Sequence, residues 1–176
     1  MGDSTKSGRK KLSDITECSI CNLGYKIENL PAILKECGHT VCQECVINLL
    51  AKNFDQIQCP TCRIFTPVAN GNLENIYVNG PVLLLAEKKD NPEVSDCPHC
   101  QNPFTTDLRI PRVLKQCGHT ICEECINKAL GQRLFHYAIS CPFCKKETWV
   151  PDGSPQNLPK NFTLFSMLEE MELHIS

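Results

Sequence analysis

The sequence predicts two small α+β modules in tandem, each followed by a short helix. Three observations predict it. Fourteen cysteines fall into one spacing pattern written twice, and apolar residues recur at helical spacing at the same place in both copies. The third is the thinness of what remains to build cores. Hydrophobic residues are 41% of the 176, but that share includes the cysteines, and the aromatic side chains are seven Phe, three Tyr and one Trp. Cores so small usually need disulfides or metal ions as staples.

The charge balance excludes one class of function. A formal net charge of -2 gives no basic stripe for holding nucleic acid. The one local excess, Lys6, Arg9, Lys10 and Lys11, lies among Ser and Gly, so residues 1–13 read as a solvated tail. No run approaches the roughly 18 apolar residues that span a bilayer, and Met1 to Ser13 is too polar for a secretory core, so no membrane association is expected. The expectation is a cytoplasmic or nuclear chain, where thiols stay reduced and read as metal ligands.

The first copy of the pattern is Cys18, Cys21, Cys37, His39, Cys42, Cys45, Cys59 and Cys62. The second is Cys97, Cys100, Cys117, His119, Cys122, Cys125, Cys141 and Cys144. The offset is 79 residues at the first pair, 80 through the middle and 82 at the end, which marks an internal duplication. It reaches past the ligands, since Asn79 falls on Asn161 at the same offset of 82. Fourteen cysteines and two histidines make four tetrahedral sites with nothing left over. Zinc is the metal such soft four-ligand sites favour, and a closed shell leaves no position for catalytic water, so four structural Zn²⁺ ions are expected. Each contributes on the order of 10 kcal/mol to folding. His99, His136 and His174 have no such context and read as surface imidazoles.

The elements follow in order. Ile33-Leu34 and Thr40-Val41 form the arms of a hairpin turned at Gly38, as do Val113-Leu114 and Thr120-Ile121 around Gly118. Val46, Leu50 and Phe54, matched by Ile126, Leu130 and Leu134, then place one helical face inward. Asn79-Gly80-Pro81 starts a helix over Val82 to Ala86, and Asn161 starts another over Phe162 to Leu173. In the latter, Leu164, Phe165, Leu168 and Met171 make a stripe expected to pack on its own module, a dimer seam being the alternative. The boundaries read as a first unit over 14–86, a charged linker over 87–96 and a second unit over 97–176.

With three cysteines, a histidine and four cysteines at these spacings, each unit resembles the RING finger of the C3HC4 type. A PHD finger has histidine as its fifth ligand, not its fourth, and a LIM module would need cysteine where Asn48 and Lys128 stand. Spacing alone does not exclude sequential wiring of the ligands. The resemblance implies a cross-brace: Cys18, Cys21, Cys42 and Cys45 on one ion, with Cys37, His39, Cys59 and Cys62 on the next. The second unit would repeat this with Cys97, Cys100, Cys122 and Cys125, then Cys117, His119, Cys141 and Cys144. The first unit is similar to the RING of tripartite-motif proteins, with a second RING here in place of their B-box and coiled coil.

The resemblance further implies a ubiquitin ligase that docks a ubiquitin-charged conjugating enzyme and promotes transfer to a lysine of an unidentified protein substrate. No cysteine is left over as a nucleophile, so no catalytic residue is assigned. The family's contact positions fall on Ile20, Leu49, Pro60 and Arg63. The second unit keeps only Pro142 and Lys145, with His99 and Ala129 at the apolar positions, and is expected to dock weakly. The alternative is a non-enzymatic scaffold whose zinc modules present a rigid surface for assembly.

Overall fold

Within the residues that the computed structural model describes, 15–73, 76–87 and 96–175, both units follow one plan. In the first, β1 (Pro31–Leu34) pairs antiparallel with β2 (His39–Cys42), Pro31 opposite Cys42. Gly38 makes the reversal at φ +79°, a conformation a β-carbon disfavours. Helix α1 (Gln43–Leu50) starts directly on the strand, because the Cys42 sulfur accepts a hydrogen bond from the Cys45 N–H at 3.5 Å and so caps it. Strands β3 (Gln56–Gln58) and β4 (Phe65–Pro67) flank the last ligand pair. Then β5 (Tyr77–Val78) returns to pair with β1, and α2 (Gly80–Glu87) leaves the unit.

The second unit repeats the plan with β6 (Pro111–Val113), β7 (Thr120–Cys122) and α3 (Glu123–Ala129), Gly118 turning at φ +68° and Cys122 capping the helix. Its longer loop adds a strand, giving a three-stranded sheet of β8 (Gly131–Gln132), β9 (Tyr137–Ser140) and β10 (Glu147–Val150) in the order β10-β9-β8. The last helix is α4 (Phe162–Ile175). A buried ion pair belongs to this unit alone: Arg112 binds Glu123 at 2.8 Å and donates to the Leu158 carbonyl, tying the tail to the hairpin. Ala32 and Gln43 stand at those positions in the first unit.

Two expectations are corrected. The inward helical face stops early: Val46, Leu50 and Ile126 are buried, but Phe54 and Leu134 are 79% and 92% exposed and Leu130 lies past the end of α3. The chain must turn back after about two helical turns to deliver the seventh and eighth ligands, and that constraint overrides the periodicity.

The second correction concerns α4. Leu164, Leu168 and Met171 are buried as the stripe requires, together with Met167, while Phe165 is only half-buried. The helix packs chiefly across β2 and α2 of the first unit, and it holds its own module through Glu172, whose carboxylate accepts from the Thr106 hydroxyl at 2.8 Å. Its entry is aimed there by backbone bonds, since the Asn161 N–H donates to Pro111 in its own unit and the Phe162 N–H to Gly38 in the other. Reciprocally, the Tyr77 ring of the first unit lies against Gly118 of the second. The two halves are thus related as the subunits of a dimer would be, about an approximate two-fold axis.

At that axis Asn79 and Asn161, both buried, exchange side-chain amide hydrogen bonds of 3.0 and 2.9 Å. Each also donates to the threonine of its own hairpin, Thr40 or Thr120. One apolar core runs through both halves. No helix among the described residues is long and apolar enough to cross a membrane. Residues 1–13 and 88–95, read as tail and linker, and the side chain of His174 lie outside the described residues.

Candidate metal centres and docking surface

Four of the six Cys-x-x-Cys pairs sit on four copies of one local device, the knuckle. In each Cys-x-x-Cys knuckle the first cysteine's N–H bonds five residues ahead and its carbonyl accepts from four ahead: Cys18 with Leu23 and Asn22, Cys59 with Ile64 and Arg63. Cys97 with Asn102 and Gln101, and Cys141 with Lys146 and Lys145, repeat it. The residue after each second cysteine takes positive φ, from 57° at Asn22 and Gln101 to 64° at Arg63. That turn points both sulfurs to one side.

The knuckles and hairpins bring the ligands into four tetrads. These are Cys18, Cys21, Cys42 and Cys45; Cys37, His39, Cys59 and Cys62; Cys97, Cys100, Cys122 and Cys125; and Cys117, His119, Cys141 and Cys144. Within each, all ligand atoms lie within 4.8 Å of one another. Ligand pairs alternate between centres in each unit, which is a cross-brace.

The geometry suits zinc. Tetrahedral bonds of about 2.3 Å to sulfur set sulfur–sulfur edges of about 3.8 Å. The Cys21–Cys42, Cys97–Cys125 and Cys100–Cys122 edges are 3.6, 3.9 and 3.9 Å. His119 Nδ1 stands 3.5 and 3.6 Å from the sulfurs of Cys141 and Cys144. His39 Nδ1 is buried with no hydrogen-bond partner, beside three sulfurs: a lone pair that a metal satisfies. The thiols point the same way. A hydrogen bond from Cys37 pushes Cys59 down to about 4, and the same contact drives Cys37 up. Burial pushes Cys117 up to about 12. Four crowded sulfurs cannot all ionise on their own, whereas a dication makes four ligands compatible. The four centres fit four structural zinc ions, which supply the cross-links that the small cores lack.

No described cysteine is in a disulfide, and every one belongs to a tetrad. Of the remaining site positions, Ile20 is 40% exposed on the first knuckle, between two ligands. Leu49 is half-buried in the last turn of α1. Pro60 and Arg63 are exposed on the Cys59–Cys62 knuckle. In the second unit Lys145 folds back, its Nζ donating to the Pro142 carbonyl at 3.0 Å. His99 holds its Nδ1 3.3 Å from the Cys125 sulfur, so it is a neighbour of the metal centre and more than a plain surface imidazole. The cross-brace implied from the sequence already brings Cys125 beside the knuckle that carries His99, but that the ring reaches this sulfur is visible only in the structure.

Two zinc-stapled cross-brace modules, built to one plan, define the class. Residues 17–64 match the zinc-RING finger domain family and residues 97–142 the RING-type zinc-finger family, so the chain is a tandem RING-finger protein. It is similar to the E3 ubiquitin-protein ligase arc-1 of Caenorhabditis elegans, 40% identical over 77 residues, 43% of this chain and 14% of that one. Human E3 ubiquitin-protein ligase TRIM32 is 30% identical over 115 residues, 65% of this chain and 17% of that one. Mouse tripartite motif-containing protein 59 is 28% identical over 179 aligned positions, 89% of this chain and 41% of that one. The chain therefore spans less than half the length of each of these relatives.

Proposed function

We propose that the protein is a RING-type E3 ubiquitin ligase whose first unit docks a ubiquitin-charged conjugating enzyme. The observation that carries the reading is Ile20. An aliphatic side chain wedged between two zinc ligands and 40% exposed has no core to enter and stands free for a partner. Leu49 and Pro60 add apolar surface. The Arg63 fork, with five donors, bridges carbonyl groups of the conjugating enzyme and ubiquitin. The names of the relatives add to the same reading.

The chemistry asked of the protein is orientation. A thioester held on a flexible conjugate loses conformational freedom when both its parts are docked, and the barrier to attack by a substrate lysine falls accordingly. The reaction needs no nucleophile from this chain, whose described cysteines are all in metal tetrads. In the second unit, imidazole at His99 and a methyl at Ala129 remove about 1–3 kcal/mol of contact each, while Pro142 and Lys145 keep the family's residue types.

An autoubiquitination assay against a panel of conjugating enzymes tests this. Ile20→Ala and Arg63→Ala are expected to reduce polyubiquitin at least about tenfold with four zinc ions retained, about 1.4 kcal/mol each. Wild-type protein inactive with every enzyme returns the chain to the scaffold reading.

A further inference from the structure

Both histidine ligands carry an aromatic ring, but the two units obtain it differently. His119 rests against Phe143 of its own last knuckle, with centroids 5.3 Å apart and planes tilted by 44°. His39 is stacked on Phe162, 4.8 Å away and within 12° of parallel. Phe162 is the first residue of α4, the trailing helix of the other unit.

At the offset of 82, Phe143 aligns with Thr61 and Phe162 with Gly80. The first unit thus has no ring on its own knuckle, and the second receives none from α2. Each lack is met by the other arrangement. Thr61 is exposed and lines, with His39 and Phe162, a groove of about 510 Å³ where a knuckle aromatic would lie. Phe162 itself is held in place, because its N–H donates to the Gly38 carbonyl at 3.1 Å and a β-carbon on Gly38 would collide with the Lys160 carbonyl.

We propose that Phe162 is a positioning residue for the Cys37–His39–Cys59–Cys62 centre. The second unit lends the ring that holds the His39 imidazole in its ligating plane, as partners beyond the ligands orient metal-bound histidines elsewhere. The dependence runs one way, because the second unit has Phe143 for its own histidine. A consequence follows for the docking loop: Cys59 and Cys62 anchor Pro60 and Arg63, so the second unit governs the stiffness of the first unit's contact surface, separately from any docking of its own. That consequence rests on the ligase reading, whereas the metal-site claim does not.

The test uses the full chain loaded with cobalt(II), whose visible absorption separates three-sulfur one-nitrogen centres from four-sulfur ones, challenged with excess chelator. In Phe162→Ala the His39 half of the mixed-ligand signal is expected to decay about fivefold faster. The other half and the four-sulfur signal keep wild-type rates. Phe162→Tyr retains the slow rate, and Thr61→Phe added to Phe162→Ala restores it by placing a ring on the knuckle. Phe143→Ala accelerates the opposite half. An unchanged mixed-ligand decay in Phe162→Ala overturns the proposal, as does equal acceleration at all four centres, which would make Phe162 part of the general packing. Failure of both Phe162→Tyr and Thr61→Phe to keep the slow rate overturns it too. Ubiquitin-chain formation by the same variants reads the consequence separately, so an inactive ligase leaves the cobalt result standing.

Discussion

The Cys37–Cys59 contact is the largest cause of their difference in acidity; backbone N–H groups at Cys62 and Thr61 lower Cys59 further, to about 4, and burial raises Cys37. In the folded arrangement the contact favours the thiolate on Cys59 and keeps the proton on Cys37. Zinc must displace the Cys37 proton, so binding releases protons and weakens as they become more abundant. From about pH 8 down to about pH 6, the apparent zinc affinity of this centre is expected to fall at least about tenfold per unit. Competition with a chromophoric chelator at a series of pH values measures it, and a flat profile would show that the thiol is already ionised. At this scale the ligands are legible in the sequence, because a knuckle is a local device that spacing alone announces. The ring on His39 is not, since Phe162 follows it far along the chain and reads there as one more apolar helix residue.

Among the elements, the trailing helices carry the molecule's cohesion. Asn79 and Asn161 each donate to a threonine and to each other, and the Asn161 Oδ1 also accepts from the Leu164 N–H at 3.2 Å, capping α4. Asn161→Leu leaves buried partners unsatisfied and is expected to destabilise the zinc-loaded chain by about 1–3 kcal/mol. Asn79→Leu should do the same. The double variant is expected to cost less than the sum, by about 0.5–3 kcal/mol, because the second change removes an orphan the first created. Denaturant titration of the four proteins decides it; strict additivity would mean the amides act independently. Both hairpins and both tail-helix starts were readable from Gly38, Gly118, Asn79 and Asn161. The ends of α1 and α3 were not, because they are set by where the last knuckle must arrive, and Phe54 and Leu134 continue a periodicity that the chain has already abandoned.

For the whole molecule, the metal ions and the shared core are two halves of one stability argument. The apolar core runs through both units but, among the described residues, buries only two aromatic side chains, Tyr25 and Phe104, and is divided over two small modules, so the cross-links must supply much of the rest. Elemental analysis of the reduced, purified chain is expected to return four zinc ions. Chelation should abolish the cooperative unfolding transition in circular dichroism, and a metal-free chain that keeps it would show that the core suffices. The duplication was plain in the sequence, and with it the ligand set, the metal and the module fold, because coordination and turn chemistry act between residues a few positions apart. The assembly was not. That α4 crosses to the other unit, that the two asparagines meet, and that one histidine borrows its ring from the neighbouring module depend on which apolar face finds which groove. Burial is non-directional, so a buried stripe records that it needs a partner and not who the partner is; only the packed chain selects one.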